Sequence, residues 1–92
     1  MPYKKLKNGK IRFIWPVRDE CDIYLVGDFN QWNEKSHPLR RTETENYELE
    51  LEIPPGKYRF KYLVDGVWWN DPDAEEYAPN PWGSEDSVIW ID

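Results

Sequence analysis

Eight prolines, at positions 2, 16, 38, 54, 55, 72, 79 and 81, divide the 92-residue chain into short pieces. None of the stretches between them carries apolar residues at the i, i+3, i+4, i+7 spacing of an amphipathic helix, so a helical fold is set aside. The pieces show alternation instead. Residues 11–15, 23–26, 47–53, 58–64, 67–69 and 88–91 read as short strands parted by turn residues, the layout of an all-β sandwich. A further strand over 3–7 would join the first through Asn8-Gly9, a pair suited to a two-residue type I′ turn, which brings the total to about seven strands. Within 47–53, period two puts Tyr47, Leu49, Leu51 and Ile53 on one face and Glu48, Glu50 and Glu52 on the other. The glutamates are expected on a solvated face, where they discourage edge-to-edge pairing.

A chain this short buries only about 60 to 65% of its unfolded surface, which leaves room for one domain, set here at residues 1–92, and none for a deep enzyme cleft. Neither an internal repeat nor a linker is visible. Lone Cys21 has no disulfide partner, and lone His37 with that single thiol falls short of a structural zinc site, so no cofactor is expected and core packing supplies the stability. Twelve basic against 18 acidic side chains leave a net charge of −6, the wrong balance for nucleic acid. No run approaches the roughly 18 apolar residues of a membrane span, and no apolar segment follows the lysines of Met1-Pro2-Tyr3-Lys4-Lys5-Leu6. The expectation is a soluble, cytoplasmic protein that contacts neither nucleic acid nor membrane. Lys4, Lys5, Lys7, Lys10 and Arg12 crowd the first twelve residues, whereas no Lys or Arg follows Val64. Opposite ends are therefore expected to attract across neighbouring strands, rather than to form a basic arm for a partner.

The most informative stretch runs from Tyr58 to Asn70, in which Asp65-Gly66 signals a two-residue hairpin turn. That turn sets Val64 opposite Val67, Leu63 opposite Trp68, Tyr62 opposite Trp69 and Lys61 opposite Asn70, and opposed residues point to the same side of a sheet. Tyr58, Phe60, Tyr62, Val64, Val67 and Trp69 then form a core face. Arg59, Lys61, Leu63, Trp68 and Asn70 face solvent. An exposed indole with an ammonium nearby suits a sugar, whose C–H faces stack on the ring while its hydroxyls accept from the cation. The same pattern also fits a Trp68 that merely shields its hairpin. Trp32 and Trp82 fall in loops, either as core plugs or as surface rings; Trp15 and Trp69 read as core; for Trp90 the alternation with Ile89 and Ile91 leaves the side open.

These residues resemble carbohydrate-binding module family 48, above all the glycogen-binding domain of AMP-activated protein kinase beta subunits; the same module precedes the catalytic domain of isoamylases, pullulanases and branching enzymes. The resemblance rests on Tyr24-Leu25-Val26-Gly27-Asp28-Phe29-Asn30-Gln31-Trp32, on Pro55-Gly56-Lys57-Tyr58-Arg59-Phe60-Lys61-Tyr62-Leu63-Val64-Asp65-Gly66, on Trp68 and Asp71-Pro72, and on Asn80-Pro81-Trp82-Gly83 leading to Ser87-Val88-Ile89. It implies an immunoglobulin-like β-sandwich of the early-set type that binds α-1,4-glucans such as glycogen, starch and maltodextrins, with Trp32, Lys61 and Trp68 as the sugar surface. By the same resemblance Trp82, Ser84 and Asp86 stand where kinase subunits carry Leu, Thr and Asn. Trp enlarges the stacking area, Ser keeps the hydroxyl, and Asp replaces an amide by an acceptor-only group.

Catalytic signatures are absent. No G-x-S-x-G, phosphate loop or Cys with a base occurs, and Asp28 and Asp65 are accounted for by a loop and a turn. Asp71, Asp73, Glu75 and Glu76 could gather a calcium ion, but Pro72 and the lack of an EF-hand glycine favour a solvated acidic loop. Three readings follow: a non-catalytic glucan-binding module, an interaction or scaffold domain set beside a catalytic polypeptide, and a domain of a larger amylolytic enzyme. Met1 reads as a native start, while Asp92 falls directly after the last strand, which keeps the third reading open.

Overall fold

A computed structural model describes residues 3–16, 20–43, 46–72 and 74–91. Met1, Pro2, Asp73 and Asp92, which figured in the expectations above, lie outside them. The described elements are β1 (Tyr3–Lys5), β2 (Lys10–Pro16), β3 (Ile23–Gly27), β4 (Arg40–Arg41), β5 (Asn46–Glu52), β6 (Gly56–Val64), β7 (Val67–Trp69), β8 (Glu76–Pro79) and β9 (Glu85–Ile91), with 3-10 turns at Lys7–Gly9 and Asp28–Asn30. The all-β, immunoglobulin-like sandwich is therefore as expected, but with nine described strands rather than about seven. The additional two are β4 and β8. β4 is two charged residues long, and β8 ends in Pro79; neither shows the apolar alternation by which a strand is read from sequence.

One antiparallel sheet has the order β1-β2-β5-β4, and the other the order β3-β6-β9-β8 with β7 also paired to β6. β6 is long enough to take β9 along Gly56–Phe60 and β7 along Tyr62–Val64. Because β3 pairs with β6 from Phe60 to Val64, β7 and β9 follow one another along the opposite edge. Between the sheets the rings of both layers interlock. Phe13 of β2 meets Phe60 of β6 at 5.5 Å between centroids, and Trp15 meets Tyr62 at 4.8 Å. Ile11, Ile23, Leu25 and Ile89 are buried around them. Burying one such Phe is worth enough that truncation to Ala costs about 3 to 5 kcal/mol.

The hairpin register is as the Asp65-Gly66 turn implied, with Val64 opposite Val67, Leu63 opposite Trp68 and Tyr62 opposite Trp69. Asp65 and Gly66 have φ of 49° and 82°, the two positive values that a type I′ turn requires. Four expectations need correction. Lys61 does not pair with Asn70, because β7 stops at Trp69 and the Asn70 amide donates instead to Glu85 O at 2.9 Å. Leu63 is buried at 8% exposure although it lies on the outer face, flanked by Tyr24 and Trp68 as cross-strand neighbours. Val67 and Trp69 are 55% and 52% exposed despite sharing the core side, since short β7 lies at the sheet margin, and Trp15, 6.2 Å away, is the ring that meets Trp69. Finally, β1 ends at Lys5 and joins β2 by the 3-10 turn, with Leu6 N–H bonded to Lys10 O, not by a two-residue Asn8-Gly9 turn.

Trp90 is settled outward, because both its neighbours Ile89 and Ile91 enter the core. Chain ends attract at Lys5, which pairs with Glu75, and at Tyr3, whose hydroxyl donates to the same carboxylate, but not across neighbouring strands as expected; there Arg12 pairs instead with Glu48 and Glu50 of β5. No helix among the described residues is long and apolar enough to cross a membrane.

Candidate binding groove

The outer face of the β3-β6-β9-β8 sheet is where the candidate residues meet. Trp32, Lys61, Trp68, Trp82, Ser84 and Asp86 all line one open groove of about 780 Å³, together with Glu34, Arg59, Asn80 and Pro81. Lys61 reaches it from the middle of β6, and Trp68 from β7. The other four sit on the loops after β3 and β8 and on the start of β9.

Trp32 owes its place to the loop after β3. Gly27 approaches β6 so closely that a Cβ there would lie 2.4 Å from Arg59 O and 2.8 Å from Phe60 Cβ. Asp28 then spans the gap: its Oδ2 accepts from Arg59 N at 2.9 Å and its Oδ1 from Trp32 Nε1 at 2.8 Å, which fixes the indole edge against the sheet. Buried Asn30 closes the turn, accepting from Gly27 N and donating to Leu25 O. Gln31 and Trp32 have φ of 54° and 56°, left-handed values that cost a non-glycine residue about 1 kcal/mol or more and persist because the Asp28 and Asn30 bonds hold the turn.

The opposite wall is a turn organised by Asn80. Its Oδ1 accepts from the backbone N–H of Trp82 and Ser84, at 3.0 and 3.1 Å, and its Nδ2 donates to Ser84 Oγ and Asp86 Oδ1, both at 2.9 Å. Gly83, at φ 83°, supplies the left-handed residue of the turn. Trp82 is thereby held outward with 87% of its surface exposed. Lys61 Nζ donates to Ser84 Oγ at 3.3 Å across the groove floor. Asp86 is buried, with Oδ1 on Asn80 and Oδ2 3.6 Å from Arg59. Sequence reasoning did not single out Asp28, Asn80 or Arg59. The signal for Asn80 was present, since an Asn that opens a turn readily accepts from the backbone N–H two residues on, here that of Trp82.

Two cations, Arg59 and Lys61, and two carboxylates, Glu34 and Asp86, leave the groove without net formal charge. Such a surface suits a neutral ligand rich in hydroxyls and apolar C–H faces better than a phosphate or a charged peptide. Of the two carboxylates, Asp86 is buried and already engaged by Asn80 and Arg59, while Glu34 is exposed. Among the described residues no group of three or more His, Cys, Asp or Glu is arranged to hold a metal. Of the acidic residues near Pro72, Asp71 is buried with its N–H on Ser87 Oγ, Glu75 pairs with Lys5 and Glu76 with Lys57. A second cleft of about 750 Å³ opens near Leu6, Ile53 and Ile91, but no aromatic ring lines it.

The fold and the groove define a small β-sandwich that presents a preformed aromatic surface, the construction of a carbohydrate-recognition module. The chain belongs to the family described as the glycogen recognition site of AMP-activated protein kinase, which matches residues 10–91. It is similar to the 5'-AMP-activated protein kinase subunit beta-1 of Sus scrofa, at 34% identity over 70 residues, covering 76% of this chain and 54% of that protein. Protein FLOURY ENDOSPERM 6, chloroplastic, of Oryza sativa subsp. japonica is 39% identical over 70 residues, 76% of this chain and 13% of its own length. The kinase beta subunit of Schizosaccharomyces pombe is 41% identical over 46 residues, half of this chain and 14% of that one. The chain thus spans from about an eighth to about half the length of these relatives.

Proposed function

We propose that this single module, residues 1–92, binds α-1,4-glucans such as glycogen, starch and maltodextrins without catalysing their cleavage. The carrying observation is that three tryptophans from three different segments, Trp32, Trp68 and Trp82, gather with Lys61 on one open groove. Trp32 and Trp68 stack on glucose rings, and Trp82 extends the stack from the turn. Lys61 and Ser84 exchange hydrogen bonds with hydroxyls. Asp86 acts mainly through Asn80 and Arg59, which already occupy its oxygens. An open site encloses little of its ligand, so affinity is on the order of micromolar to millimolar.

The relatives that are kinase subunits support a further proposal, that the module works in the cytoplasm beside a catalytic polypeptide and presents it to glucan. Titration of the chain with β-cyclodextrin and maltoheptaose, followed by tryptophan fluorescence with cellohexaose as the β-linked control, tests the glucan reading. Saturable change with the α-linked ligands alone is expected; silence at millimolar α-glucan would sink it.

A further inference from the structure

On the outer face of β6, Lys57, Arg59, Lys61 and Leu63 stand at alternate positions, three cationic donors in a row followed by an apolar residue. The register places a tryptophan beside each end of this row: Trp90 of β9 opposite Lys57, and Trp68 of β7 opposite Leu63. Since β7 and β9 follow one another along the same edge of β6, the two indoles flank the row from one side. Six residues of strand separate them, roughly 20 Å. Arg59 and Lys61 line the groove, so Lys57 and Trp90 continue its surface down the sheet.

Trp90 is held by neighbours on both sides. Lys57 Nζ lies 4.9 Å from its ring centroid, Lys57 also pairs with Glu76 at 3.3 Å, and Trp90 Nε1 donates to Glu76 Oε1 at 3.4 Å. With 45% of its surface open, the indole is an oriented and accessible ring, with an ammonium donor and a carboxylate acceptor beside it. Trp68 and Lys61 share the groove at one end of the strand, and Trp90 with Lys57 sets an indole beside an ammonium at the other.

We propose that Trp90, Lys57 and Glu76 form a second sugar subsite, which takes a distal stretch of the same α-glucan chain that occupies the groove. The inference rests on the glucan reading. A ligand long enough to reach both platforms gains from the second contact being intramolecular; a compact one gains nothing.

The experiment compares the parent chain with Trp90→Ala, Lys57→Ala and Trp68→Ala. Each is titrated with β-cyclodextrin, a closed ring with no free arm to lay along β6, and its retention by glycogen is measured in affinity electrophoresis. Trp90→Ala and Lys57→Ala are expected to keep their β-cyclodextrin affinity within about twofold and to bind glycogen about three- to tenfold more weakly. Trp68→Ala is expected to lose both. Unchanged glycogen retention in Trp90→Ala and Lys57→Ala, with β-cyclodextrin binding intact, overturns the second subsite and leaves the groove reading standing. A parent that binds neither α-glucan removes the reading beneath it. If Trp90→Ala disturbs folding, seen as lost β-cyclodextrin binding, the exposed Lys57→Ala change decides alone.

Discussion

Asn80 Nδ2 donates to Asp86 Oδ1 at 2.9 Å, so the turn that carries the most exposed ring of the groove is fastened to a buried carboxylate of β9. The same amide accepts from the N–H groups of Trp82 and Ser84, and one side chain thus shapes the whole wall. Asn80→Ala removes these bonds while leaving every proposed sugar-contacting residue in place. It is expected to weaken β-cyclodextrin binding about five- to thirtyfold and to cost roughly 1 to 2 kcal/mol in urea unfolding. Asn80→Asp keeps an acceptor for the two N–H groups but sets an oxygen against Asp86. At neutral pH it is expected to bind more weakly than Asn80→Ala, a ranking that calorimetry on both variants checks.

Trp68 is 43% exposed, and Lys61 reaches Ser84 Oγ through a single bond, so both can be truncated with little loss of core contact. Trp68→Ala and Lys61→Ala are each expected to lower α-glucan affinity at least about tenfold, while the unfolding midpoint in urea moves by less than about 1 kcal/mol equivalent. Because the proposed glucan is neutral, affinity of the parent is expected to change less than about twofold between low and high salt. Steep salt dependence in the same titration would point to an anionic ligand instead.

Much of this arrangement is legible in the sequence because a two-residue turn leaves a hairpin no choice of register. From Asp65-Gly66 alone, Lys61 and Trp68 come to the outer face and Tyr62 to the core, as found. What the pattern cannot convey is where a sheet ends. Trp69 has the parity of a core residue, but β7 is three residues long, and Trp15 is the ring that meets it. Leu63 has the parity of a solvent residue, yet it is buried, with Tyr24 and Trp68 as its partners on the neighbouring strands. Parity gives the face, and burial depends on what lies across that face. β4 and β8 escaped notice for a related reason. Their places come from pairing with β5 and β9, not from any apolar alternation of their own. The groove's supporting residues were hidden as well, because Asp28 and Asn80 look like ordinary turn formers until their bonds to Trp32, Arg59 and Asp86 are seen.

Gly27 is where fold and groove are most tightly coupled. Its φ is extended at −174°, so backbone conformation does not demand glycine; the space does, because a Cβ would stand 2.4 Å from a backbone oxygen of β6. Gly27→Ala must push β3 away from β6 at the point where Asp28 bonds Arg59 N. The expected cost is about 2 to 4 kcal/mol of stability, accompanied by weaker glucan binding as Trp32 loses its anchor. Urea unfolding measures the first. A stability within about 0.5 kcal/mol of the parent would show that the strands have room to yield.

Tyr62 gives the chain an alkaline limit. It is fully buried, packed against Trp15 and Phe60, and burial foremost, then the charge of Asp71 and the neighbouring Tyr3, pushes its phenol well above the usual tyrosine range. The unfolded chain releases this proton near pH 10, whereas the folded chain holds it higher, so between the two the native state binds more protons than the unfolded one. Stability associated with neutral Tyr62 is therefore complete below about pH 10 and falls as pH rises above it, by up to about 1.4 kcal/mol per pH unit. Tyr62→Phe has no such proton to lose. Its unfolding free energy, measured in urea between about pH 8 and 11.5, is expected to decline less steeply above pH 10 than that of the parent. Equal alkaline slopes for the two proteins would assign the loss to other tyrosines or lysines.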